Sequence, residues 1–251
     1  VGRGVTAAIA VAAAGSRTLV VDSTGALWMF GDGAYVPMPV ALGVPVVMPA
    51  TAAFSSFAIG IDGIVWAWGI NDHGQLGDGS TTSQSSPERL STIADVTQIA
   101  AGSGHTIALR TDGTLWAWGA NVSGQLGDGT PLCSLQDVEC LARPYAATPV
   151  AVNGPLHIVA VSANSSSSLA IAGDGQVWTW GDNAAGQLGD GTTSARSAPA
   201  LIADANFAWH TGTPLITPGG TTLGAFVALA GSTTAGAVLR YTTDGRDPTE
   251  T

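Results

Sequence analysis

The chain has 251 residues, 45% of them hydrophobic and only 10% charged, with a net charge of −10 at pH 7. All eight bases are arginine, and an acidic chain without a basic stripe repels phosphate backbones, which argues against nucleic acid as a partner. The 34 glycines, the many small and β-branched residues and the lack of a long helical pattern point to an all-β chain with enough length to bury a core.

In chain order, Val5 to Gly15 is an apolar, alanine-rich run behind Arg3, a composition also found in signal peptides. The run parallels a later stretch, since Ile9 to Val21 aligns with Ile99 to Leu109. It is therefore read as the start of a first hairpin over residues 5–35, with Thr24-Gly25-Ala26-Leu27-Trp28-Met29-Phe30-Gly31 at its far side. Residues 36–50 carry four prolines and predict an irregular edge strand and connection, because proline cannot donate to a ladder. A second copy follows over 51–80, with Asp62-Gly63-Ile64-Val65-Trp66-Ala67-Trp68-Gly69 running into Gly74-Gln75-Leu76-Gly77-Asp78-Gly79. The polar stretch after it ends at Pro87, and an outer strand reaches Ile93. A third copy, 94–130, holds Asp112-Gly113-Thr114-Leu115-Trp116-Ala117-Trp118-Gly119 and Gly124-Gln125-Leu126-Gly127-Asp128-Gly129. Residues 131–148 are an insertion. A fourth copy, about 156–192, holds Trp178-Thr179-Trp180-Gly181 and Gly186-Gln187-Leu188-Gly189-Asp190-Gly191, and Pro199 to Ile202 repeats the outer strand. A period of roughly 50 residues is the mark of an array or a propeller. About 200 residues of repeat at that period make about four blades, arranged as an arc.

Within each copy an apolar run precedes Asp-Gly and an aromatic run follows it. That is a strong hairpin signal, since both residues tolerate the positive φ of a tight primed turn. In Leu115-Trp116-Ala117-Trp118 the two tryptophans point one way and Leu and Ala the other. Neither face is polar, so the sheet is expected to lie between two others, with Trp66, Trp116 and Trp178 at equivalent, buried positions.

The pattern Ile99-Ala100-Ala101-Gly102-Ser103-Gly104-His105-Thr106-Ile107-Ala108-Leu109, then Asp112-Gly113, Trp116-Ala117-Trp118-Gly119-Ala120-Asn121 and Gly124-Gln125-Leu126-Gly127 resembles the repeat of the regulator-of-chromosome-condensation family. The resemblance covers about residues 5–205. It implies a β-propeller with four strands per blade, usually seven-bladed in the family. Arg17 stands near the His105 position, Ser55 and Ser167 occupy it in the second and fourth copies, and the first copy lacks the Gly-Gln-Leu-Gly loop.

Candidates for chemistry are few. Cys133 and Cys140, with six residues between them, are the only cysteines. Their even count in an insertion favours a local disulfide and an oxidising compartment; two free thiols or a zinc site are the alternatives. Asp78, Asp128 and Asp190 recur beside glycine. They read as turn-formers rather than calcium ligands, since calcium wants six to eight oxygens. His73, His105, His157 and His210 share no repeat position, and His105 reads as a structural, hydrogen-bonded residue. The pairs Trp66 and Trp68, Trp116 and Trp118, and Trp178 and Trp180 read as repeated core rather than a sugar-stacking platform. No phosphate loop, nucleophile elbow or zinc-protease motif is present. No catalytic, cofactor-binding or metal-binding residue is therefore assigned, no cofactor is expected, and the chain reads as a non-enzyme. No stretch is long and apolar enough for a transmembrane helix.

After about residue 205 the composition changes. Residues 206–212 read as a linker. Residues 213–251, with Tyr241-Thr242-Thr243-Asp244-Gly245 and then Pro248-Thr249, resemble the start of a chitobiase C-terminal-type module. That resemblance implies a truncated immunoglobulin-like β-sandwich and an extracellular or surface-anchored bacterial protein. The chain begins without methionine and reads as a fragment, so further blades of the same parent chain are expected neighbours. The function expected is non-catalytic binding of a protein or surface partner through the loops. The alternatives are a guanine nucleotide exchange factor-like regulator and a propeller-type enzyme inhibitor.

Overall fold

A computed structural model describes residues 5, 7–132, 144–154 and 157–202. The cysteine pair and everything from residue 203 onward, with the predicted linker and sandwich module, lie outside the described residues.

Among the described residues, sixteen strands form four sheets of four antiparallel strands each. Sheet 1 holds β1 (Ala8–Ala14), β2 (Arg17–Asp22), β3 (Leu27–Gly31) and β4 (Ala34–Val40). Sheet 2 holds β5 (Val46–Thr51), β6 (Ser55–Gly60), β7 (Val65–Gly69) and β8 (Gln84–Arg89). Sheet 3 holds β9 (Val96–Ala101), β10 (His105–Arg110), β11 (Leu115–Ala120) and β12 (Tyr145–Ala151). Sheet 4 holds β13 (Ile158–Ala163), β14 (Ser167–Ala172), β15 (Val177–Gly181) and β16 (Arg196–Leu201). Each sheet follows chain order, so every ladder joins neighbours in sequence. The first strands contact one another in series, β1 on β5, β5 on β9 and β9 on β13. The last strand of each sheet is the outer edge, and Pro37, Pro39, Pro87, Pro149 and Pro199 sit there, where no ladder donor is needed. The predicted edge region 36–50 is in fact divided: its first part is β4, and Pro49 lies in β5, the innermost strand of sheet 2.

The hairpin between the second and third strand is longer than the Asp-Gly pair predicts. In sheet 3 the last ladder pair is Leu109 with Leu115. Gly113 alone has a positive φ, 78°. Asp112 works through its carboxylate, which accepts from the Thr114 amide at 3.0 Å. Asp174 and Asp62 hold Gln176 and Ile64 in the same way. Aspartate here ties the loop instead of adopting the left-handed conformation of a primed turn.

Three apolar clusters fill the three gaps between consecutive sheets. Leu19, Val21 and Leu27 of sheet 1 meet Val46, Ala58 and Trp68 of sheet 2. Phe57, Ile59, Val65 and Ala67 meet Ile99, Ala108 and Trp118. Ile107, Leu115 and Ala117 meet Val161, Ala170 and Trp180. Both faces of sheets 2 and 3 are therefore consumed by packing. The tryptophan pair of sheets 2, 3 and 4 faces the preceding sheet. Its members differ in burial: Trp68, Trp118 and Trp180 are 4%, 0% and 0% exposed, whereas Trp66, Trp116 and Trp178 are only half-buried. Trp66, Trp116 and Trp178 hold equivalent ladder positions, as expected, but they are less completely buried than the second tryptophan of each pair. It lies one pleat further along the strand, where in sheets 3 and 4 the preceding sheet's loop covers it.

Candidate functional site

The strands are committed to packing, so the loops at one end of the sheets are the place to look. Between the third and fourth strands of sheets 2, 3 and 4 lies the Gly-Gln-Leu-Gly loop. An asparagine braces each one. Asn71 Oδ1 accepts from the Leu76 amide at 2.9 Å, and its Nδ2 donates to Asp78 Oδ1 and to the Ser80 carbonyl, each at 3.1 Å. Asn121 and Asn183 repeat the arrangement on Leu126 with Asp128 and on Leu188 with Asp190. The three asparagines escaped the sequence reading as functional residues; their signal was recurrence five positions before the leucine.

Asp78, Asp128 and Asp190 accept from the amides of Ser80, Thr130 and Thr192 at 2.8, 3.0 and 2.9 Å. The Thr192 hydroxyl and amide, helped by Arg196 and Asn183, hold the Asp190 carboxyl well below the usual carboxylate range. These lone pairs are spent on turn geometry. Among the described residues no three of His, Cys, Asp and Glu cluster as a metal site would require.

The braced loops of sheets 2 and 3 tuck under the next sheet. Trp118 Nε1 donates to the Gln75 carbonyl at 2.8 Å, and the Thr106 hydroxyl donates to the same oxygen at 2.9 Å. Trp180 Nε1 and the Ser168 hydroxyl do the same to Gln125, at 2.9 and 2.8 Å. The last glycine of each loop makes this approach possible: a Cβ on Gly77 would lie 2.7 Å from Trp118 Nε1. In sheet 4, among the described residues, nothing covers the loop, and a Cβ on Gly189 would meet its nearest neighbour, Ile202, at 3.8 Å.

Equivalent ladder pairs put Arg17, Ser55, His105 and Ser167 at one repeat position. His105 is 1% exposed, and its Nε2 lies 3.0 Å from Ser168 Oγ. Because the Ser168 hydroxyl donates to Gln125, its oxygen accepts from His105 Nε2–H, which leaves Nδ1 unprotonated. Nδ1 has no partner among the described residues. Burial pushes the His105 pKa down from 6.5 to about 4. The unfolded chain therefore takes up this proton first, and the stability held by neutral His105 is complete above pH 6.5 and is lost as pH falls toward 4. The loss should reach about 2 kcal/mol between pH 8 and pH 5. Urea titrations at both pH values check it: His105→Gln, which cannot titrate, should lose about 2 kcal/mol less over the interval. Asp22, held down to about 2 by the Thr24 hydroxyl and the Trp28 indole, adds its own loss only at more acidic pH.

Sheet 1 has no Gly-Gln-Leu-Gly loop; β3 and β4 are joined by the short turn around Asp32. Where the missing loop would lie there is a pocket of about 320 Å³. Its floor and walls include Gly69 and Ser85, and these are the positions that touch the loop elsewhere. Gly119 and Gly181, equivalent to Gly69, lie against Gln75 and Gln125. Ala147 and Ser197, equivalent to Ser85, lie against Gly74 and Gly124. On the opposite side Arg17 forms an ion pair with Asp32 at 2.5 Å, and its NH1 donates to Ser56 Oγ at 2.8 Å. The Ser16 and Arg17 hydrogen bonds keep the Asp32 carboxyl below its ordinary pKa. Phe54 and Ile70 stand at the mouth, 59% and 38% exposed. The same backbone bond, Ile70 N to Phe54 O, Ala120 N to Gly104 O and Asp182 N to Ser166 O, shows that the other sheets place small or polar residues there.

Comparison with known proteins gives a consistent result. The profile described as "Regulator of chromosome condensation (RCC1) repeat" matches residues 62–109, 112–171 and 174–209, and a second profile of the same description matches 96–125 and 158–187. The human probable E3 ubiquitin-protein ligase HERC6 is 33% identical over 170 residues, 63% of this chain and 15% of that protein. The Arabidopsis thaliana mitochondrial RCC1 domain-containing protein RUG3 is 30% identical over 202 residues, 72% of this chain and 43% of that protein. The chain thus spans less than half the length of these relatives. Among solved structures, Prp20p of Saccharomyces cerevisiae superposes with a TM-score of 0.68 at 24% identity, covering 79% of this chain and 51% of that one. Human WBSCR16 gives 0.66 at 22% identity over 78% and 53%. At these identities the structures speak for the fold alone.

Proposed function

The chain belongs to the regulator of chromosome condensation (RCC1) repeat family, and from that premise we propose that its sheets form a non-catalytic propeller module that binds a protein partner through its loops. The observation that carries this reading is the division of labour in the fold. Both faces of the inner sheets are sealed by packing, while the loop end offers a pocket with exposed Phe54 and Ile70 at its mouth. Recognition on loops held by a rigid scaffold is the expected use of such an arrangement.

Electrostatics support a protein rather than a nucleic acid. Of the four arginines among the described residues, Arg17, Arg110 and Arg196 are each ion-paired with aspartate, so the described residues hold no basic stripe to track phosphates. No helix among the described residues is long and apolar enough to cross a membrane. We place the module in a larger secreted or surface-anchored bacterial protein; the Cys133 and Cys140 pair and the Tyr241 to Thr249 motif support this.

Capture of partners on the immobilised chain, followed by mass spectrometry, tests the reading. We expect a saturable protein partner whose binding is reduced at least tenfold by Phe54→Asp with Ile70→Asp. A GTPase in the eluate favours exchange-factor-like regulation instead, and a hydrolase favours the inhibitor reading. Retention of full binding by the double variant removes the loop end from the proposal.

A further inference from the structure

We propose that the pocket between sheets 1 and 2 is a receptor for a leucine-bearing tight turn of a partner protein, which takes the place of the loop that sheet 1 lacks. This deepens the protein-binding reading and rests on it. The molecule itself shows what fits. Between sheets 2 and 3, and again between sheets 3 and 4, the equivalent space is filled by a peptide turn making three kinds of contact. A backbone carbonyl, that of Gln75 or Gln125, accepts from the tryptophan indole. The next residue, Leu76 or Leu126, is 1% or 0% exposed in the apolar gap. An amide four residues after that carbonyl, Gly79 N or Gly129 N, donates at 2.9 Å to the carbonyl of Ala147 or Ser197 on the outer strand.

The first gap keeps the receiving half of this pattern without the giving half. Trp68 stands where Trp118 and Trp180 stand. Its Nε1 donates to no described residue, and it is not among the sealed, unpartnered nitrogens, which are those of Trp66, Trp178 and His105 Nδ1. The shared register aims the Ser85 carbonyl away from β7, as for Ala147 and Ser197, and no donor from outside the sheet reaches it. Ser85 supplies a free acceptor on the pocket wall, and the Trp68 indole, 4% exposed, lies behind the lining next to Gly69. An acceptor and a donor in succession match a peptide main chain, which offers both. The volume, about 320 Å³, is at the small end for ligand sites. It suits a turn of a few residues. Phe54 and Ile70, large and apolar where the other sheets place small or polar residues, extend the contact around the mouth.

The test uses the whole chain, labelled with ¹⁵N, and a head-to-tail cyclised peptide of its own sequence from Asn71 to Ser80. The readout is the Trp68 indole N–H resonance. A saturable downfield shift is expected, with affinity at least tenfold weaker for a peptide carrying Asp in place of its leucine. Ser85→Trp, at an exposed edge position, should block the pocket and abolish the shift while the other indole resonances stay in place. A Trp68 resonance that stays still up to millimolar peptide overturns the proposal, as does equal movement with the Asp peptide or in Ser85→Trp. The captured partner separates the two readings. If it binds Ser85→Trp undiminished, the pocket assignment fails and the protein-binding reading stands. If no protein partner is captured at all, both fail.

Discussion

Trp118→Ala should lower the stability of the repeat region by about 3–5 kcal/mol, the range for removing a large buried aromatic, whereas Trp116→Ala should cost about 1–2 kcal/mol. The two residues are two positions apart on β11 and face the same cluster. They differ in what lies over them. Trp118 is 0% exposed and is clasped by the Gln75 carbonyl. Trp116 is half-buried. Deleting Trp118 empties the gap between sheets 2 and 3 and takes one of two donors from Gln75 O, which keeps the Thr106 hydroxyl. Trp118→Phe should therefore lose far less than the alanine variant, about 1–2 kcal/mol, since most of the apolar volume remains. Chemical denaturation of the three variants measures the order directly. Equal losses for Trp116→Ala and Trp118→Ala would sink the assignment of the second tryptophan as the sealed one.

Gly119→Ala should be about as damaging as losing Trp118, although it adds a single methyl group. Its φ is +95°, and a Cβ would lie 2.4 Å from Gly104 O, 2.8 Å from His105 Cα and 3.2 Å from Gln75 Cα. All three are backbone atoms, two in the neighbouring strand or its turn and one in the loop of the preceding sheet, so no side chain can swing aside. We expect a loss of about 4 kcal/mol: ~1–3 kcal/mol for an L-residue held at this φ and a further ~1–3 kcal/mol for forcing a methyl into a filled space. Gly33→Ala is the internal control. Its φ is +90° and nothing lies within 4 Å of its Cβ, so it should show the backbone cost alone. Denaturant midpoints of the two variants decide; comparable midpoints would mean that the sheets move apart to admit the methyl.

Several assignments were legible because they are local. Asp112-Gly113 between two apolar runs gives a hairpin, and a strand of alternating Trp and small apolar residues announces two buried faces. Four such units in series give four sheets in chain order, since antiparallel neighbours in sequence are neighbours in space. The alignment of Arg17, Ser55, His105 and Ser167, read from spacing, is the alignment in the ladders. The hairpin loops were read as tighter than they are, because the Asp-Gly pair signals a turn without saying whether aspartate adopts positive φ or hydrogen-bonds its neighbour.

The pocket was half visible. The absence of Gly-Gln-Leu-Gly from the first copy is a fact of sequence, yet nothing in the sequence says whether the space closes, fills with another side chain or stays open. Sheet packing decides that, by setting Gly69 and Ser85 where the next two sheets set their loop contacts.

By itself, then, the sequence determined the repeat unit, its strands and their order, because turn chemistry and side-chain alternation act within a few residues. Tertiary structure alone decided which tryptophan of each pair is sealed, that His105 is neutral and bonded to Ser168, and that a pocket remains at the loop end of the first gap. Those outcomes depend on groups far apart in the chain, Trp118 and Gln75 at 43 positions and His105 and Ser168 at 63. Their meeting is set by how one sheet stacks on the next, and no local preference encodes that distance.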